Sequence, residues 1–234
     1  MLVEDIKKRL GSFASKEKAK VIQGFFKTGR GEYGEGDIFL GVVVPNIRKV
    51  LREFTGTPLD DMIKLLSSPV HEERLLALLM LVQSFTKGDD RFKKLIYDYY
   101  LANTRYINNW DLVDLSAPNI VGNYLINKNR KPLYTLAKSG DLWERRIAIL
   151  STFAFIKEND HQDTLKITSL LLNDEHDLIH KAVGWMLREV GKRDQPREER
   201  YLKLHYKKMP RTMLRYAIER FPEKKRQKYL NGKA

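Results

Sequence analysis

The sequence contains no cysteine, which removes disulfide frameworks, thiolate metal sites and cysteine nucleophiles together. That absence fits a reducing compartment. Long apolar runs are missing as well. The longest, Leu75 to Val82, falls far short of the ~20 residues that a helix needs to cross a bilayer, so no membrane partner is expected. The chain begins Met-Leu-Val-Glu-Asp-Ile-Lys-Lys-Arg-Leu, with acids where a signal peptide would have an apolar stretch. The expected setting is the cytoplasm. Acids are scarce relative to bases: 30 Asp and Glu against 43 Lys and Arg give a formal net charge of +13. That balance favours a polyanionic partner.

What is present is helical periodicity. Apolar residues recur at steps of three and four, and strict alternation is rare. The pattern predicts helices over about 2–14, 16–27, 45–54, 58–67, 71–86, 89–103, 110–127, 131–138, 141–157, 161–172, 176–191, 196–208, 210–220 and 222–230, with a few residues of play at each end. Most prolines fall at helix starts, where their missing N–H is harmless. Pro118 does not, and it should kink or split the 110–127 segment after Ala117. A single domain over residues 1–234 is expected, at 42% apolar content enough to bury a core.

Four helices carry a small residue inside an apolar stretch: Ala77, Ala148, Gly184 and Ala217. Their spacing suggests a helix-pair repeat of roughly 35–40 residues, the signature of HEAT-like or armadillo-type solenoids. The expected fold class is therefore an all-α solenoid of stacked helix pairs. In this register one repeat is missing its small residue, and the vacant midpoint falls near Asp114. A carboxylate on a packing face is costly if ionised, dry and unpaired. Asp114 should have a partner or face a wet cleft.

Several motifs invite a sharper reading than they support. Gly29-Arg-Gly31-Glu-Tyr-Gly34 spells a phosphate-binding pattern, but a helix precedes it where a strand is required, and Glu32, Glu35 and Asp37 would repel phosphate. No nucleotide cofactor is expected; the segment reads as a loop. His176 and His180 share a helix face without an evident third ligand, so no metal is expected. His71-Glu-Glu-Arg-Leu lacks the second histidine of a zincin. Ser116 lacks the surroundings of a hydrolase nucleophile.

The C-terminal charge is more informative. Residues 188–234 hold sixteen Lys and Arg against six Asp and Glu, with Tyr201, Tyr206, Tyr216 and Tyr229 interleaved. A solvated helix surface would explain a charge run. Concentration of most of the net charge in one fifth of the chain points to a phosphate-binding face.

The strongest constellation is Asn108-Asn109-Trp110-Asp111-Leu112-Val113-Asp114. Trp110 and Asp114 lie four apart and share a helix face. Trp143, Arg145 and Arg146 open a later helix, and Trp185 follows the small residue of the repeat beyond; these are all three tryptophans. Core anchoring, the usual role of tryptophan, explains Trp143 but gives no reason for Asp114 or Arg146. If successive repeats present equivalent positions, Trp110, Asp114, Arg146 and Trp185 could converge on one concave face.

These residues resemble the AlkD-like DNA glycosylases, the HEAT-like repeat family of DNA alkylation repair. The matching pieces are Trp110-Asp-Leu-Val-Asp114, Trp143-Glu-Arg-Arg146-Ile-Ala-Ile-Leu150, Ala182-Val-Gly-Trp185-Met-Leu-Arg-Glu-Val-Gly191 and Phe39-Leu-Gly-Val-Val-Val-Pro45-Asn-Ile-Arg48. The resemblance spans roughly residues 16–220. It implies a concave face that holds double-stranded DNA, and no cofactor. It implies hydrolysis of the N-glycosidic bond of cationic alkylpurines such as N3-methyladenine and N7-methylguanine, with the damaged base left in the duplex. By the same resemblance Asp114 is the catalytic carboxylate, and Trp110 and Trp185 are the aromatics beside the lesion. Arg146 is implied near the DNA backbone, and Arg48, Arg145, Lys181, Arg188, Lys192 and Arg215 are read with it as DNA-binding. A monomer at the nucleoid of a bacterium or archaeon is the implied setting. Asn109 stands where some relatives have a second tryptophan, and the Gly29–Asp37 loop is longer and more acidic than the simplest family pattern. A non-catalytic protein for branched or distorted DNA, or a protein-interaction scaffold, are the other readings of such a solenoid.

Overall fold

The computed structural model describes residues 2–234; Met1, the first residue of the segment compared with a signal peptide, lies outside them. The all-helical expectation holds. Among the described residues no strand forms, and the only extended pairing is an isolated parallel bridge between Ile38 and Val70. No described helix is long and apolar enough to cross a membrane. The chain divides into two compact units, Met1–Ser116 and Ala117–Ala234.

The first unit is built around α5 (His71–Lys87), whose run of leucines is buried on nearly every side. Apolar burial is worth about 1.5–3 kcal/mol per large side chain, so this helix is the anchor to which its neighbours dock. Those neighbours are α3 (Val44–Glu53), α4 (Leu59–Leu66), α6 (Asp90–Ala102) and α7 (Trp110–Ser116). α1 (Leu2–Gly11) packs on α3 and α4 through Ile6 and Leu10. α2 (Lys16–Phe25) differs: it buries no residue, and Val21 and Phe25 are 74% and 65% exposed. The side chains of Ser15 and Asp89 cap α2 and α6, each satisfying an N–H that the helix cannot. Gly41 has φ +77°, and a Cβ there would meet the backbone N of Ala19 at 2.6 Å, so only glycine lets this loop pass so close to α2.

The second unit begins at Ala117, one residue before the proline. Pro118 has no N–H to offer the carbonyl four residues back. The backbone widens instead into a π-turn over Pro118–Gly122, in which Gly122 N–H donates to Ala117 O at 2.9 Å. The expected 110–127 helix is thus split into α7, this turn and the short α8 (Asn123–Leu125). α9 (Lys131–Leu136) follows. α10 (Leu142–Lys157) is the central helix of this unit, buried along its length and capped by Asp141, which accepts from Trp143 N–H at 2.7 Å. α11 (Gln162–Leu170), α12 (Asp177–Gly191), α13 (Gln195–His205), α14 (Arg211–Ala217) and α15 (Glu223–Leu230) complete it.

Glycine sets the closest helix approaches here. A Cβ on Gly184 of α12 would meet Met213 O at 2.5 Å and Tyr216 Cβ at 2.5 Å. A Cβ on Gly122 would run into Ser151 of α10 and come within 2.8 Å of Ala154 Cβ. Each glycine meets a carbonyl 29 residues further along the chain. Gly122 is therefore the counterpart of Gly184. This corrects the register that assigned the small-residue position to Asp114, eight residues earlier. The reason is the π-turn, which delivers Gly122 to α10.

Candidate functional site

α7 is short, and almost everything around it is fixed. Asn109 is buried, and its Oδ1 accepts the N–H of Trp110 at 2.8 Å, closing the first turn. Asp111, Leu112, Val113 and Ser116 form the buried face. Trp110, Asp114 and Leu115 are half-buried. Asp114 is therefore partly accessible, four residues along the same helix from Trp110. Ser116 is structural: it bonds Tyr100 Oη at 2.8 Å and the carbonyl of Leu112 at 2.5 Å. Burial pushes the Tyr100 phenol up more than that bond brings it down, and the negative charge of Asp114 adds to the rise.

Under α7 lies a polar network that the motif reading passed over. His71, Glu72, Glu73 and Arg74, the first turn of α5, are all buried. His71 Nε2 meets Asp111 Oδ2 at 2.8 Å and its Nδ1 meets Asp37 Oδ2 at 3.2 Å. Arg74 donates to Asp37 Oδ1 at 2.6 Å and to the carbonyl of Ser68 at 3.0 Å. Glu72 accepts three backbone N–H groups, from Leu40, Gly41 and Val42, at 3.0, 2.8 and 3.1 Å. Glu73 pairs with Lys7 at 3.2 Å. The Asp37 carboxyl would be raised by burial, but His71 and Arg74 together hold it below its ordinary value. A signal was present in the sequence: four consecutive polar and charged residues head a helix that is apolar thereafter, so they must go inside and find partners.

The loop that supplies Asp37 is closed by its own acids. Gly29 N–H donates to Glu32 Oε2 at 2.9 Å and Gly31 N–H to Glu35 Oε2 at 2.8 Å. The amides a phosphate would need are occupied by carboxylates. Aromatic rings pack on Trp110 from the same side of the chain: Phe26 stacks on it at 5.2 Å with 12° between planes, and the exposed Phe25 meets it edge-on at 5.8 Å. Phe26 also stacks on Phe39 at 5.1 Å, and Phe39 on His71 at 4.5 Å. Arg48 is exposed on α3. Nothing in the sequence reading singled out Phe25 or Phe26.

In the second unit Trp143 is a buried anchor of α10, as core packing predicts. Trp185 is half-buried; its Nε1 donates to Glu189 Oε1 at 3.1 Å and its ring lies 6.2 Å from Phe153. Arg146 is only 4% exposed, and its Nη1 donates to Leu178 O at 2.5 Å, tying α10 to the start of α12. It is a buried strut more than an open phosphate hook. Arg145 pairs with Asp174 at 2.6 Å and also holds the carbonyls of Ser139 and Gly140. Lys181 pairs with Asp177 at 2.7 Å, Lys192 with Glu189 at 2.5 Å, and Arg188 with Glu219. Arg215 is exposed on α14. His176 Nδ1 accepts Leu178 N–H at 3.1 Å, and His180 Nε2 lies 2.5 Å from Asp174 O, so both histidines are engaged with the turn that starts α12.

A half-buried carboxylate and tryptophan on one short helix, with a basic helical segment further along, is a chemical combination suited to work on nucleic acid. Comparison with known proteins points the same way. The fold is similar to a solved structure described as "Predicted DNA alkylation repair enzyme from Enterococcus faecalis", with a TM-score of 0.69 and 17% identity, covering 90% of this chain and 97% of that one. No curated protein matches the sequence. Residues 6–221 match the family described as "DNA alkylation repair enzyme". With nearly the whole chain accounted for, the protein belongs to the DNA alkylation repair enzyme family.

Proposed function

We propose that this member of the family is a DNA-alkylpurine N-glycosylase, releasing cationic alkylated purines such as N3-methyladenine and N7-methylguanine from duplex DNA without extruding the base. The observation that carries the reading is the pairing of Asp114 with Trp110 on the half-buried face of α7, held from below by buried partners. An N-alkylated purine already carries positive charge. When the C1′–N bond breaks, the electron pair leaves with a neutral base and positive charge develops on the deoxyribose. Asp114 stabilises that charge and orients the water that adds to C1′, accepting or relaying its proton. The face of Trp110 attracts the same cationic sugar, and the family resemblance gives Trp185 a like role. Arg48, Lys181, Lys192 and Arg215 hold phosphates, and the less accessible Arg145, Arg146 and Arg188 support them.

The test is base release from duplex DNA containing N7-methylguanine, under single turnover. Asp114→Asn keeps the shape and removes the charge; its rate should fall about 10²–10³-fold, the size of a lost electrostatic stabiliser. An unchanged rate would take Asp114 out of the mechanism. A non-catalytic role on branched or distorted duplexes is the second reading, favoured by the basic segment 188–234. Tight junction binding with no base release from any alkylated duplex would select it.

A further inference from the structure

Resting on that reading of Asp114 and Trp110, we propose that His71 is a positioning residue for their helix, and that it holds α7 in its working place only as an imidazolium clamped between Asp111 and Asp37. Both ring nitrogens face carboxylate oxygens, at 2.8 and 3.2 Å. Carboxylates only accept, so both bonds exist together only when both ring nitrogens carry protons. The charged groups that face the ring are Asp37 from the loop before α3, Asp111 from α7 and Arg74 from α5 itself; the rings of Phe26 and Phe39 cover the remainder. With His71 charged, the buried group of two carboxylates, one imidazolium and one guanidinium is neutral. With His71 neutral it carries one uncompensated negative charge at a site only 2% exposed, an unfavourable state for a dry interior.

Loss of the proton has a mechanical consequence. One ring nitrogen then points a lone pair at a carboxylate, and the ring must turn away from one of its two partners. Asp111 is the residue after Trp110, so a lost Asp111 bond frees the first turn of α7. A rotated ring instead disturbs the stack through Phe39 and Phe26, on which Trp110 lies. Either way the indole moves. Burial works against the charged ring, but the bonds to Asp111 and Asp37 outweigh it and raise the His71 pKa above its ordinary value.

Asp111→Asn provides the discriminating variant. Asp111 Oδ1 accepts Leu112 N–H at 2.9 Å while Oδ2 faces His71. An asparagine can keep the first bond and turn its amide N–H toward Nε2, donating to a neutral imidazole that still donates from Nδ1 to Asp37. The clamp then needs no imidazolium. The experiment uses the full chain, free of DNA, labelled with 15N-histidine and 5-fluorotryptophan, with the Trp110 resonance identified by Trp110→Phe. In the wild type, the 19F shift of Trp110 should titrate with the same midpoint as the His71 ring nitrogens. In Asp111→Asn it should hold its low-pH position across the range. In His71→Gln it should be displaced and pH-independent. Base release from the N7-methylguanine duplex should show kcat falling about tenfold across the His71 titration in the wild type, the order expected of a small misplacement of catalytic groups. KM should not move, and the Asp111→Asn profile should be flat. A Trp110 resonance that ignores the His71 titration, or an Asp111→Asn profile that titrates like the wild type, overturns the proposal. The spectroscopic arms need no substrate, so coupled titrations in a chain that releases no base would overturn the glycosylase reading and leave the positioning role standing. If His71→Gln fails to fold, the wild-type and Asp111→Asn titrations still decide.

Discussion

Asp114 and Glu198 are both acids on helices of a basic chain, and burial separates their chemistry. Asp114 is half-buried. Glu198 is 2% exposed; burial first, and the neighbouring Glu199 second, push its carboxyl up to about 8 despite Lys225 and Arg188. Among the described residues its Oε1 has no hydrogen-bond partner, and its other oxygen occupies the space beside Gly191 that a Cβ would need. A carboxyl raised above its unfolded value is favoured in its protonated form by folding. Its contribution is fully present below the unfolded value and is lost as pH rises toward and through about 8. Glu198→Gln removes the penalty for ionisation. We expect it to stabilise the protein at pH 9 by about 2 kcal/mol, which for a chain of this length raises Tm by roughly 4–8 °C. At pH 5 the gain should be much smaller. Thermal unfolding followed by circular dichroism checks this, and an equal gain at both pH values would show that the effect is packing and not ionisation. The sequence Pro196-Arg-Glu-Glu-Arg200 reads as a solvated surface, and nothing local says that one of its two glutamates turns inward. Trp110 and Asp114 were legible for the opposite reason: a spacing of four fixes their shared face before any tertiary contact exists.

Helix boundaries follow from local chemistry, and they were readable. The expected segments match the observed helices to within a few residues, and Pro118 ends α7 where its missing N–H requires. The repeat register was not readable at the same place, because a π-turn inserts extra backbone without changing the apolar pattern. Spacing alone put Asp114 at the seam; geometry puts Gly122 there. The two close approaches can be tested as elements. Gly184→Ala places a methyl 2.5 Å from Met213 O, between α12 and α14. Backbone cannot yield as a flexible side chain does, so overpacking should cost about 1–3 kcal/mol. Gly140→Ala, where a Cβ meets nothing within 4 Å, serves as the matched control. Denaturant unfolding should show a lower midpoint for Gly184→Ala and little change for the control. Equal stability of the two would mean that α12 and α14 separate freely and that the glycine does not set their spacing. What the buried first turn of α5 would bind was the other illegible part. Its partners, Asp37 and Asp111, lie 34 and 40 residues from His71, and only the fold brings them together.

The net charge of +13 favours a polyanionic partner, and the ion pairs of the C-terminal segment leave much of that charge accessible. In residues 188–234 the acids are largely consumed within the segment. Glu189 takes Lys192, Glu199 takes Lys225, Glu219 takes Arg188 and Glu223 takes Arg226, while Asp194 caps α13. Glu198 is neutral near pH 7. Exposed cations remain, among them Lys203, Lys207, Lys208, Arg215, Lys224 and Lys228. Exposed ion pairs contribute little to stability, so this excess is better explained by binding than by folding. Each phosphate that a lysine or arginine neutralises releases condensed counterions, and the logarithm of affinity falls with the logarithm of salt concentration by about 0.9 per contact. Replacing Lys208 and Arg215 together by glutamine should therefore lower that slope by about 1.8 if both meet phosphates. Affinity should fall to a similar degree for duplexes of any sequence, since phosphate contacts position without reading bases. Under single turnover at saturating enzyme the rate of base release should stay near the wild-type value, because the proposed mechanism assigns stabilisation of the sugar cation to Asp114 and not to these cations. Fluorescence anisotropy across a salt series gives the slope, and the same samples give the rate. An unchanged slope would place the DNA elsewhere on the chain; a collapsed saturating rate with an unchanged slope would give Lys208 or Arg215 a part in the chemistry itself.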